Sequence, residues 1–95
     1  MNDVTSLSLL KADLEITTDK IDSFLSQQLS AAAAFIAREG ITLTETVEDT
    51  QLNVMYAAYL YRRRKQDNPV MPKYLRWALN NRLMHEKMNG GDSNG

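Results

Sequence analysis

The side chains that most often carry acid–base or metal chemistry are few and scattered in this chain. His85 is the only histidine, and the sequence contains no cysteine. A Ser-His-Asp triad or a metal site built from several histidines therefore cannot be assembled within one chain. Glu45, Glu48 and Asp49 are close enough in sequence for paired acid–base work, but they lie where helix-capping carboxylates belong. We expect no enzyme, no cofactor and no metal.

Positive charge is concentrated in the run Arg62, Arg63, Arg64 and Lys65, which follows an apolar and aromatic segment. At about 100° per residue the four side chains fan out around a helix, so at most two share a face. The run is followed by a proline-containing link and lacks the tight glycine turn of a helix-turn-helix, which disfavours sequence-specific DNA recognition. It is a candidate for contact with a DNA backbone or with an acidic partner.

The 95 residues have a net charge of −1, but that charge is unevenly distributed. Residues 1–60 hold nine acids and three bases, a net of −6, whereas residues 61–95 hold three acids and eight bases, a net of +5. This polarity favours either steering of a nucleic acid or head-to-tail contact between identical subunits. The longest apolar run, 31–37, is far shorter than the roughly 20 residues that span a bilayer. We expect neither membrane association nor a signal peptide.

Apolar periodicities and capping residues predict an all-α fold, a small bundle of four helices over residues 7–14, 19–39, 47–66 and 72–87. The residues that set these bounds are hydroxyl caps, a helix-ending glycine and a proline: Ser6, Thr17 or Thr18, Gly40, Thr46 and Pro72. Residues 1–88 are expected to form one domain. The tail, 89–95, offers nothing to bury and is predicted to be disordered.

The second helix has two contrasting faces on a helical wheel. Its core side carries Ile21, Phe24, Leu25, Leu29, Ala32, Phe35 and Ile36. The opposite side has no charged residue and consists of Ser23, Ser26, Ser30, Ala33, Ala34 and Ala37. Small residues allow another backbone to come close, but alanine is also the best helix former. Ser26, Ser30, Ala33, Ala34 and Ala37 are therefore candidate self-association residues, with good helix chemistry as the alternative.

The third helix is apolar almost all round, which predicts that it is the central helix of the bundle. Only a narrow strip is left for solvent, formed by Thr50, Asn53, Ala57 and Arg64. The tyrosines at 56, 59 and 61 suggest stacking on nucleic-acid bases, but packing in the core and at interfaces is favoured.

The fourth helix has two apolar faces, although a terminal helix needs only one. One face carries Leu75, Ala78, Leu79 and Leu83. The other, the candidate partner-binding surface, carries Tyr74, Trp77, Met84 and Met88. In the alternative, Trp77 folds back over the loop before Pro72.

Four sequence segments, in this order along the chain, resemble segments of the head-tail connector, or adaptor, proteins of tailed bacteriophages. They are the LKADLEI of residues 10–16, the alanine-rich helix 19–39, the AAYLYRR of residues 57–63 and the LRWALNNRL of residues 75–83. The similarity covers roughly residues 7–84. The chain departs from the family in the tight connection at 38–43, where many relatives have a longer loop.

The resemblance implies a structural role in virus assembly. Copies of such proteins form a ring, expected to be twelvefold, that docks beneath the portal protein after DNA packaging. The ring continues the DNA channel, lies close to the packaged DNA without reading its sequence, and offers a platform to the next head-completion protein. Its place would be the neck of the virion, and the host cytoplasm during assembly. The alternatives are a small helical nucleic-acid-binding module and a small regulatory interaction module.

Overall fold

Four α-helices make up the regular structure: α1 (Asp3–Leu14), α2 (Asp22–Arg38), α3 (Val47–Arg63) and α4 (Lys73–Asn94). This computed structural model describes the backbone of residues 3–94 and the side chains of residues 5–88. The predicted all-α fold of four helices is confirmed, and the described part of the chain contains no strand.

The starts of α1 and α2 differ from the prediction. Helix α1 begins at Asp3, so Ser6 lies buried within it and the predicted cap at Ser6 is wrong. Helix α2 begins at Asp22, and the N-cap position is taken by Ile21, which provides no side-chain cap. The Thr18 hydroxyl instead accepts the amide two residues later at 3.2 Å, so it closes a turn ahead of the helix. The Lys11 ammonium holds this turn against α1 by pairing with Asp19 at 3.0 Å and Asp22 at 2.9 Å. The predicted caps at Thr17 or Thr18 are therefore wrong.

The end of α2 and the start of α3 follow the prediction. Gly40 has a φ of +102°, and its amide donates to the Ala37 carbonyl at 3.0 Å. A Cβ at Gly40 would also lie 3.3 Å from the Leu83 side chain, so both backbone conformation and space favour glycine. The Thr46 hydroxyl accepts the Asp49 amide at 3.2 Å and caps α3 as predicted.

The predicted ends of α3 and α4 shift by several residues, whereas α4 starts within one residue of the prediction. Helix α3 ends at Arg63, because the next amide bonds to the Tyr61 carbonyl three residues back and tightens the final turn. Helix α4 begins directly after Pro72, whose carbonyl accepts the first helical amides. It runs to Asn94, beyond the predicted end at 87. The side chains of 89–94 and the whole of Gly95 lie outside the described residues, so the disordered tail stays a prediction.

Helix α3 is the central helix, because it packs against each of the other three. The buried apolar core comprises Leu10, Leu25, Leu29, Ala32, Ile36, Ile41, Leu52, Val54, Tyr56, Ala57, Ala58, Leu60, Leu75 and Leu79. The predicted polar strip on α3 is wrong at two positions, since Asn53 and Ala57 are buried. The reason is that α1 also packs on α3, and Ser6 of α1 lines the same groove as Asn53.

A buried ion pair fastens α4 to the rest of the bundle. The Arg82 guanidinium donates to both carboxylate oxygens of Asp49, at 2.7 and 3.0 Å, and to the Thr42 carbonyl at 2.8 Å. The Thr44 amide and hydroxyl donate to the same Asp49 carboxylate, each at 2.8 Å. The Asp49 side chain is only 3% exposed. Its carboxylate therefore joins α3, the α2–α3 connection and α4, and the prediction of a capping carboxylate is wrong for this residue.

Burial of the Asp49 carboxylate raises its pKa, but hydrogen bonds from Arg82 and Thr44 outweigh that effect and the net pKa is lowered. The pKa of Arg82 is raised in turn, chiefly by its hydrogen bond to Asp49. Both groups are therefore held in their charged forms. Removing one partner of a buried ion pair is strongly destabilising, because it leaves the other charge buried without a counterion.

We expect Arg82→Gln to lower the free energy of unfolding by about 3 kcal/mol, because it leaves the buried Asp49 charge without a counterion. Urea denaturation followed by circular dichroism measures the change. The matched control is Arg76→Gln. Its pair with Glu39 is more exposed, at 42% and 23%, and we expect that control to lose less than about 1 kcal/mol. Equal losses in the two variants would contradict a special role for Asp49.

Acidification should weaken the fold through Asp49. Its folded pKa is depressed, so its contribution is present above the unfolded pKa of about 3.9 and is lost as pH falls through the lower folded value. The free energy of unfolding, measured in urea from neutral pH to about pH 3, should therefore decline below about pH 4. Asp49→Asn should show a shallower decline. An equally steep decline in that variant would place the effect on other carboxylates.

Candidate functional site

The second face of α4 is open to solvent along its described length. Its four side chains have the following exposed fractions: Tyr74 53%, Trp77 70%, Met84 64% and Met88 66%. On the opposite side Leu75 and Leu79 are fully buried. The two-faced helix is as predicted, and a Trp77 folded over the loop before Pro72 does not fit its exposure. Its role in partner binding stays a prediction.

A groove between α3 and α4 adjoins Trp77 and was not foreseen from the sequence. Its volume is about 770 Å³. Leu52 and Met55 of α3 line it, together with Trp77 of α4. Polar side chains share the lining, among them Glu48 and the exposed His85. The groove exists because α3 and α4 meet the α2–α3 connection, a juxtaposition that no local sequence signal predicts.

The candidate self-association face of α2 is accessible but not smooth. Ser26, Ser30, Ala34 and Ala37 are exposed, and Ala33 is half-buried. Ser26, Ser30 and Ala33 line a second groove of about 350 Å³. Ser6 lies in its wall, where the buried hydroxyl has no hydrogen-bond partner. Another chain approaching this face would meet a grooved surface with small side chains and hydroxyl groups.

The structure divides the predicted basic run among different contacts. The Arg62 guanidinium pairs with the Asp13 carboxylate at 3.2 Å and also donates to the Asp13 carbonyl. The Arg64 guanidinium lies 3.6 Å from the Tyr61 ring centroid and donates to the Tyr61 carbonyl. Lys65 is exposed. Two of the four cations therefore donate hydrogen bonds to acceptors within the chain.

Arg63 belongs to an aromatic cluster that also includes a residue of α2. Its guanidinium carbon lies 5.4 Å from the Tyr59 ring centroid and 5.7 Å from that of Phe35. The Arg38 guanidinium carbon lies 5.4 Å from the same Phe35 ring. Phe35 stacks on the buried Tyr56, with centroids 5.8 Å apart and planes 6° apart. The preference for packing over base stacking is confirmed for Tyr56, whose pKa is raised by burial.

Part of the charge difference between the two halves is neutralised inside the chain. Three bases of residues 61–95 pair with acids of residues 1–60: Arg62 with Asp13, Arg76 with Glu39 and Arg82 with Asp49. The opposite charges of the two halves therefore contribute ion pairs within the folded chain. The argument from charge for head-to-tail contact between subunits is correspondingly weaker.

Comparisons of the chain with protein-family models, with curated proteins and with solved structures give no match. The residues described by the structure contain no cluster of side chains suited to hold a metal ion. Within those residues, no helix has the length and apolar character needed to cross a membrane.

Leu79 and Trp77 allow the two faces of α4 to be tested separately. Leu79→Ala should lower the free energy of unfolding by about 2–5 kcal/mol, because it opens a cavity at a fully buried position. Trp77→Ala should change it by no more than about 0.5 kcal/mol, because the indole is largely exposed. Urea denaturation measures both changes. A Trp77→Ala protein that unfolds as readily as Leu79→Ala would show that Trp77 is part of the core.

Proposed function

We propose that the protein is a subunit of a ring-shaped head-tail connector of a tailed bacteriophage. Such a ring docks on the portal after DNA packaging and continues the DNA channel toward the tail. The ordered sequence segments over residues 7–84 and the all-α fold of four helices support the proposal. The observation that carries it is the exposed apolar face of α4, which has no use inside a single subunit.

A ring subunit needs two different surfaces for its two neighbours, because the contact in a ring is head-to-tail. The small-residue face of α2 and the aromatic and methionine face of α4 lie on different helices and have different chemistry. The α2 face permits close backbone approach by another helix. The α4 face offers Trp77 as an anchor, with Met84 and Met88 as adaptable contacts. In the proposed ring, one of these surfaces contacts one neighbour and the other surface contacts the second neighbour.

Native mass measurement across a concentration series, with and without a portal protein, tests the proposal. We expect a monomer or weak assembly at low concentration and a closed ring, twelvefold on the portal, when the protein is crowded or docked. A species that stays monomeric and binds a single partner would indicate a regulatory module. A mass that changes only when nucleic acid is added would indicate a nucleic-acid-binding module. Either of these results would overturn the connector proposal.

Ala34→Glu should abolish ring formation, because it places a carboxylate on the exposed small-residue face of α2, where close approach of another chain would bury it. Helix content should be unchanged, since the side chain points to solvent in the monomer. The control is Ala12→Glu on the exposed side of α1, which adds the same charge outside the proposed interface. Native mass and far-ultraviolet circular dichroism give the two readouts. Rings that survive Ala34→Glu would show that the α2 face serves only helix formation.

A further inference from the structure

Two arginines from different helices meet over one aromatic ring. Arg38 is the last residue of α2 and Arg63 is the last residue of α3. Their guanidinium carbons lie 5.4 and 5.7 Å from the Phe35 centroid, and Arg63 is also 5.4 Å from the Tyr59 centroid. A guanidinium over a ring face is held by cation–π attraction while its N–H edge stays available for other acceptors. The cluster therefore presents two partly preorganised donors.

Among the described residues, neither arginine has an ion-pair partner, since no carboxylate lies within ion-pair distance of Arg38 or Arg63. The carboxylate next to Arg38 in the sequence, that of Glu39, is engaged by Arg76 through two hydrogen bonds of 2.9 and 3.0 Å. The hydrogen bond from Arg76 lowers the pKa of Glu39, so the carboxylate stays ionised and its charge is balanced by that of Arg76. Within the part of the chain that the structure describes, these two positive charges have no ion-pair counterion.

The consecutive run at 62–65 is less suited to an external anion. Arg62 pairs with Asp13, and Arg64 donates a hydrogen bond to the Tyr61 carbonyl besides lying over the Tyr61 ring. Arg38 and Arg63, in contrast, share one ring, so their guanidinium carbons are at most about 11 Å apart. The phosphates of duplex DNA flank a minor groove about 6 Å wide and a major groove about 12 Å wide. One duplex can therefore reach both guanidinia.

We propose that Arg38 and Arg63, supported by Phe35 and Tyr59, form a phosphate-contact site for duplex DNA. The inference deepens the proposed function and rests on it, because the connector channel is what brings DNA to this surface. Guanidinium groups bind phosphate oxygens in a bidentate fashion, and such phosphate contacts carry no information about base sequence. The site accordingly combines a cation from α2 with one from α3, rather than the four successive cations of residues 62–65.

The test is the salt dependence of binding to a fluorescent duplex of about 20 base pairs, followed by anisotropy on the full chain. Each phosphate contact contributes about 0.9 to the slope of log affinity against log salt. Arg38→Gln with Arg63→Gln should therefore lower the slope by about 1.8. Arg38→Gln alone, at an exposed position that does not threaten folding, should lower it by about 0.9.

Two double variants remove the same charge elsewhere. Arg62→Gln with Arg64→Gln tests the basic run, and Lys20→Gln with Lys73→Gln tests net charge at exposed positions. Both should keep the wild-type slope. A loss of slope in either double equal to that of the Arg38 and Arg63 double would overturn the site. So would wild-type protein that fails to bind the duplex at about 50 mM salt, where phosphate contacts are strongest in this range.

Native mass measurement on the same variants separates this inference from the connector proposal. Rings that form on the portal with Arg38→Gln and Arg63→Gln, together with a reduced slope, support the site. If that double variant binds DNA normally but no longer assembles, the patch is a subunit interface and the inference is wrong. If wild-type protein forms no ring yet the slope changes as expected, the phosphate site stands while the connector function fails.

Discussion

The buried Asp49 carboxylate is the constraint on which the placement of α4 depends. A helix with two apolar faces can pack by either one, and its leucines alone do not decide between them. At about 100° per residue, Arg82 and Arg76 flank the stripe of Leu75 and Leu79 on its two sides. Each arginine pairs with a carboxylate outside α4: Arg82 with Asp49 at the start of α3, and Arg76 with Glu39 at the end of α2. If α4 packed by its other face, Arg82 would not reach Asp49, and the buried carboxylate would lack a counterion. The ion pairs therefore favour the orientation in which Leu75 and Leu79 enter the core.

These ion pairs also change the meaning of the charge distribution. In the sequence the two halves carry opposite signs, and the simplest inference is attraction between subunits. In the folded chain Asp13, Glu39 and Asp49 each take a cation from the second half. What is left for external partners is therefore decided by which cations lack such a partner, and not by the density of cations along the chain. Arg38 and Arg63 qualify by that criterion although only one of them belongs to the basic run.

Local signals predicted the features that depend on neighbouring residues. Gly40 ends α2 and Thr46 caps α3, because a left-handed turn and a hydroxyl cap are set within a few positions. The periodicity of α4 correctly separated Leu79 from Trp77. The errors arose where distant segments compete for the same groups. Thr18 closes a turn that Lys11 holds against α1, and Asn53 is covered by that same helix. The Asp49 carboxylate was assigned to a cap because its partner lies 33 residues away in the sequence.

The exposed face of α4 follows from the same architecture. With its leucines committed to α3, the chain has no further element among the described residues that packs over Trp77, Met84 or Met88. Folding alone cannot bury them, and a chain of 95 residues buries a comparatively small share of its surface. A second chain can cover that face, and a head-to-tail ring supplies one to every subunit without leaving a free end. The internal ion pairs that orient α4 thereby determine which of its apolar faces stays exposed, so that the stability of the chain and the availability of that face share one physical cause.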